Sequence, residues 1–163
     1  ATGLQVQLMG GMNLTLDGEP VDLSDKLYYK GAMIEDLPNL AMVFGYTNSS
    51  WTLKADLISE YFARVIHYMD EHGFAVATPR NHDREMERQP FIDMTSGYIQ
   101  RALHLLPQQG SKRPWRLYQN YFKDMAAFRL SPINDKALVF SNPVSHGYGY
   151  GLDHPEPTLA SVQ

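Results

Sequence analysis

Residues 44–57 read FGYTNSSWTLKADL. A glycine, a tyrosine and four small hydrogen-bonding residues (Thr47, Asn48, Ser49, Ser50) stand directly ahead of Trp51 and a long helical pattern. The first backbone N–H groups of a helix lack intrahelical partners, and the aligned peptide dipoles leave partial positive charge there. A group with partial or full negative charge is favoured at that point. Gly45 permits close backbone approach, Asn48 and Ser49 offer hydrogen bonds, and Trp51 can lie beside a planar ring. The combination suits the electron-rich rim of a flat heterocycle. A plainer reading stands beside it: Ser49 or Ser50 caps the helix and Trp51 belongs to the core.

Other chemistry finds less support. The chain has no cysteine, so disulfides, thiolate metal sites and cysteine nucleophiles are excluded. Its six histidines (His67, His72, His82, His104, His146, His154) show no four-residue helical pair and no HExxH, and no metal site is read from them. Asp56 and Glu60 are four apart, which a solvated helix face explains. Lys112, Arg113 and Arg116 surround Trp115. They read either as a contact to a cofactor phosphate or neighbouring domain, or as a solvated loop over a packed ring. No catalytic residue is assigned.

Composition sets the frame: 163 residues, 44% hydrophobic, 20% charged, with a net charge of −4. This is a globular balance without the basic excess that nucleic acid would call for. No apolar run approaches the roughly 18–20 residues of a membrane span, and the default compartment is the cytoplasm. The chain opens ATGLQVQLM without a methionine, consistent with a processed end or a fragment of a longer protein.

The elements that must position the turn follow from periodicity. LQVQLM (4–9) alternates like a strand. Asp17-Gly18 predicts a tight hairpin, with Pro20 on an edge. A short strand or loop covers 28–34, a turn covers 37–39, and the apolar run Leu40–Phe44 predicts a strand covered on both faces. Trp51–His72 is the clearest helix. Trp51, Leu57, Ile58, Tyr61, Phe62, Val65, Ile66 and Met69 form its apolar stripe, Glu60 and Arg64 are placed to pair, and Gly73 stops it. A short strand precedes Pro79, and 81–90 reads as a solvated loop or short helix. A second helix runs from a Thr95 or Ser96 cap to Leu106, and 108–115 is a loop. A third helix spans Arg116–Leu130, with Leu117, Tyr121, Phe122, Met125 and Phe128 inward. A strand at Ala137–Phe140 precedes a Gly/Pro-rich tail. The fold class is α/β or mixed α+β: a small sheet with a hairpin, one long helix and two shorter ones.

Three stretches, in this order, carry a resemblance: ATGLQ at the start, FGYTNSSWTLKADL at 44–57, and SGYIQRALHLLPQQGSKRPWRLYQNYFKD at 96–124. Together they resemble the C-terminal part of class B flavin monooxygenases, nearest to the Baeyer–Villiger type. The resemblance implies FAD and NADPH as cofactors and O2 as oxidant. It implies a ketone, or a thioether-like sulfur or a nitrogen centre, as the small-molecule substrate. It places 1–140 in the C-terminal portion of a Rossmann-like FAD-binding domain and leaves 141–163 as tail. Neither Gly-rich dinucleotide fingerprint of that family occurs here; Gly147–Gly151 (GYGYG) lacks the spacing. Both fingerprints, and an arginine of the reaction centre, would lie in a missing N-terminal portion. By the match, Ser49, Trp51, Thr52 and Leu53, then Asn48, border the flavin. The alternative is a non-catalytic binding or interaction module on the same fold. Exposed apolar surface separates the two, unless self-association into a homo-oligomer covers it.

Overall fold

The computed structural model describes residues 7–92 and 97–143. Within them the chain folds as mixed helix and strand, with three helices and four two-stranded antiparallel ladders.

The first ladder pairs β1 (Thr15–Leu16) with β2 (Glu19–Pro20) across Asp17-Gly18. Both turn residues have positive φ, 53° and 88°, as a two-residue hairpin turn of this hand requires. The second pairs β3 (Tyr28–Tyr29) with β4 (Met33–Ile34). Successive residues of a strand face opposite sides, and here that divides the core in two. Tyr28 and Ile34 enter one cluster with Leu37, Phe91 and Leu106. Tyr29 and Met33 enter the other with Leu57, Ile58, Tyr61, Val65 and Phe128.

Helix α1 (Trp51–His72) is the spine. Leu57, Ile58, Tyr61 and Val65 recur at three- and four-residue intervals and are buried, and Gly73 ends the helix in the left-handed conformation. The chain returns as β5 (Val76–Pro79), whose partner is the distant β8 (Leu138–Ser141). Asn39 lines the other side of β5. Its own N–H and side chain bond Ala77 and Ala75 at 2.9–3.0 Å. The fourth ladder joins β6 (Arg88–Pro90) to β7 (Gln108–Gly110). Helix α2 (Gly97–Ala102) lies between them in sequence, and α3 (Tyr121–Arg129) packs along α1.

Several sequence expectations need correction. The strand at 4–9 lies partly outside the described residues, and Leu8–Gly11 form a tight helical turn. Leu40–Phe44 is not a strand. Ala41 makes one bridge to Met33 and Val43 is exposed, because an apolar run becomes a strand only where neighbours take up its ladder. The 81–90 segment, expected as a solvated loop or short helix, and the 108–115 segment, expected as a loop, each contribute a strand. The Thr95 and Ser96 caps lie outside the described residues, and α2 gives way to a tight helical turn over Leu103–Leu105. The third helix starts later than expected, at Tyr121, because the Asn120 side chain accepts the Lys123 N–H as a cap. Phe122 points to solvent, 73% exposed. Glu60 does not pair with Arg64; it takes a two-pronged bond from Arg129 of α3, and Arg64 donates to the carbonyls ending that helix.

Candidate functional site

The turn ahead of α1 is built from both sides. Gly45 is buried against the Trp51 indole so closely that an added Cβ would lie 2.2 Å from Trp51 Cδ2. Trp51 also packs on Phe44, with ring centroids 5.1 Å apart, yet remains 50% exposed. Its outer face is thus free to meet something else. The Ser50 side chain does not cap the helix; its hydroxyl pairs with that of Thr52 at 2.8 Å. Ser49, Ser50, Trp51 and Thr52 are exposed and Leu53 is half-buried. The start of α1 therefore faces outward.

What fixes this turn comes from Gln119 and Asp124, 72 and 78 residues further along the chain than the Thr47 and Tyr46 they hold. The Gln119 side-chain carbonyl accepts the Thr47 N–H at 3.2 Å, and its backbone carbonyl accepts from the Asn48 amide at 3.1 Å. Gln119 has φ +49°, a left-handed conformation uncommon for a side-chain-bearing residue. Below the turn, Asp124 Oδ2 accepts both Tyr46 Oη and Lys54 Nζ at 2.8 Å. All three residues are buried, and together they bolt the turn, the first turns of α1 and the start of α3 to one another.

Electrostatics agree with that geometry. Burial pulls the Lys54 ammonium below the ordinary lysine range, and the facing Asp124 carboxylate partly restores it. Burial, then the bond to Asp124, pushes the Tyr46 phenol upward. A carboxylate between a cation and a phenol donor is satisfied as an acceptor and holds its neighbours in place.

Of the residues expected to border a planar ring, Ser49, Trp51 and Thr52 are exposed at the helix start. Leu53 turns partly inward, and Asn48 is committed to Gln119. Sequence reasoning missed Tyr46, Lys54, Gln119 and Asp124. Lys54 carried a signal: it lies three and four residues before Leu57 and Ile58, on the stripe that enters the core.

Comparison with known proteins supplies relatives of the chain that carries this turn. Over 141 residues, 86% of the chain, it is 48% identical to a Mycolicibacterium smegmatis protein named FAD-containing monooxygenase EthA. It is 42% identical, over the same share of the chain, to a probable FAD-binding monooxygenase AlmA of Acinetobacter baylyi. A like-named protein of an Acinetobacter species is 37% identical over 99% of the chain. The chain matches a C-terminal part of a flavin monooxygenase. It spans under a third of the length of these relatives (29%, 28% and 32%). No protein-family profile and no solved structure matches this chain. Among its described residues no helix is long and apolar enough to cross a membrane.

Proposed function

We propose that the turn at 45–53 holds the pyrimidine rim of FAD in an NADPH-dependent monooxygenase of Baeyer–Villiger type. The whole enzyme would place one oxygen atom from O2 into a ketone or onto a sulfur or nitrogen centre. Residues 1–140 complete its FAD-binding domain, 141–163 form a tail, and the enzyme works in the cytoplasm. The observation that carries the reading is the outward-facing, uncapped start of α1 on a chain whose relatives are named for FAD.

The residues present fit such a group. First-turn N–H groups and the helix dipole favour partial negative charge, the Ser50–Thr52 hydroxyl pair can reorient to donate, and the free face of Trp51 offers a flat apolar wall. Bound FAD would supply the redox chemistry, taking electrons from NADPH and engaging O2. This chain's own part is to orient the ring and exclude water on one side, with Gln119 and Asp124 keeping the turn in register. Val43 and Trp51 are exposed, and residues 42–46 belong to no strand among the described residues. Both features support a segment that the rest of the enzyme completes rather than a self-standing module. Homo-oligomer formation is compatible with the same surface.

Replacing the matching C-terminal segment of the Mycolicibacterium smegmatis relative by this chain tests the reading. The chimera should retain FAD and oxidise NADPH in the presence of a ketone. Without the rest of the enzyme, the 163-residue chain should oxidise none. A folded chimera that purifies without flavin would refute the assignment.

A further inference from the structure

We propose that a cavity between the 113–118 segment, α3 and the 131–137 loop binds a small organic anion with an apolar body. The half-open cavity holds about 290 Å³, just under the roughly 300–1,000 Å³ usual for ligand sites. Its walls are largely apolar, with Pro114, Ala127, Phe128 and Pro132 among them. At its side, Lys30 Nζ and Asp135 Oδ2 meet at 3.0 Å, and Tyr29 Oη donates to the same carboxylate oxygen at 2.7 Å.

Charge at the cavity is unbalanced. Four cations (Lys30, Arg113, Arg116, Lys136) and two carboxylates (Asp124, Asp135) line it. Both carboxylates are taken: Asp135 by Lys30, and Asp124 by Lys54, which lies outside the lining. Arg113 rests over the Tyr118 ring at 5.2 Å, and Arg116 donates to the Gln89 side-chain carbonyl; both partners are neutral. Arg113, Arg116 and Lys136 make no ion pair among the described residues. Three cations without an ion-pair partner among the described residues thus line one apolar cavity, in a chain whose net charge is −4. An anionic head group would meet Arg113 and Lys136 at the exposed mouth, with its apolar body against Phe128 and Pro132. A cavity of this size excludes a nucleic acid strand, and the apolar walls disfavour a bare inorganic anion.

The site is independent of the flavin reading, and the 163-residue chain tests it directly. The probes are 3-phenylpropanoate and its neutral isostere 3-phenylpropanamide, titrated at low salt into ¹⁵N-labelled chain. The anion should give saturable shifts confined to amides of 113–118 and 127–137, with the amide binding at least about tenfold more weakly. The double variant Arg113→Gln, Lys136→Gln replaces two exposed side chains. It should lose about tenfold in affinity for the anion, bind the amide unchanged, and keep the helical circular dichroism. Equal affinity for the two probes, an undiminished double variant, or no saturable shift in this region would overturn the proposal.

Discussion

Lys54 and Asp124, seventy residues apart in sequence, meet at 2.8 Å with both side chains only 8% exposed. Such a pair is indifferent to net stability when replaced whole by apolar residues, but costly when half of it is removed, because a charge is left buried alone. Asp124→Ala should therefore destabilise the chain by about 3–5 kcal/mol. The double variant Lys54→Met, Asp124→Leu should recover most of that loss. Urea unfolding of the three proteins checks this; equal losses in the single and double variants would contradict it.

Gly45 and Trp51 offer a second handle. A methyl group at residue 45 cannot coexist with the indole at 2.2 Å, so Gly45→Ala should drive Trp51 off Phe44 into water. Tryptophan emission should move to longer wavelength and become more open to iodide quenching. Trp115, the other tryptophan, is 2% exposed and should stay silent. In the chimera the same substitution should lower FAD retention.

Alkaline pH should unfold the chain. Burial raises the phenol pKa of Tyr28, Tyr29, Tyr46 and Tyr61 above the ordinary value of 10.0. Above that pH the unfolded chain has released protons that the native chain still holds. The stability these groups contribute is complete below pH 10 and falls as pH rises. Lys30 and Lys54, lowered by burial, act in the opposite sense, raising stability with pH up to the ordinary lysine value of 10.5. Beyond that only the tyrosine effect remains. Absorbance at 295 nm should show the exposed tyrosines titrating first and the buried four appearing together with loss of helix.

Asn39 bonds β5 through its backbone and side chain while holding φ at +55°. Asn39→Ala removes the side-chain bonds and strains the backbone, whereas Asn39→Gly removes only the bonds. The alanine variant should lose about 1–2 kcal/mol and the glycine variant less, read by thermal unfolding.

How much of this was legible in sequence depended on whether the deciding contact was local. Helix α1 could be read because its stripe repeats every three to four residues and Gly73 closes it; the Asp17-Gly18 hairpin could be read because two residues fix its turn. Strands β6 and β7 could not. Arg88-Gln89-Pro90 and Gln108-Gln109-Gly110 show no alternation, and each is a strand only because the other lies beside it. Leu40–Phe44 failed in the reverse sense, apolar enough for a strand but without a ladder to join. At the candidate site the exposed residues were legible from the turn, while Asp124 and Gln119 became visible only when α3 packed on α1.

The bonds from Gln119 and Asp124 to Thr47 and Tyr46 also set a schedule. Their partners are separated by 72 and 78 residues, so a ribosome adding about 5–20 residues per second makes the anchors roughly 4–15 s after the turn they secure. Until then the segment leaves the exit tunnel without its tether. On the proposed reading, capture of a prosthetic group there waits for the start of α3 to be translated, and nascent chains arrested before Asp124 should emerge empty.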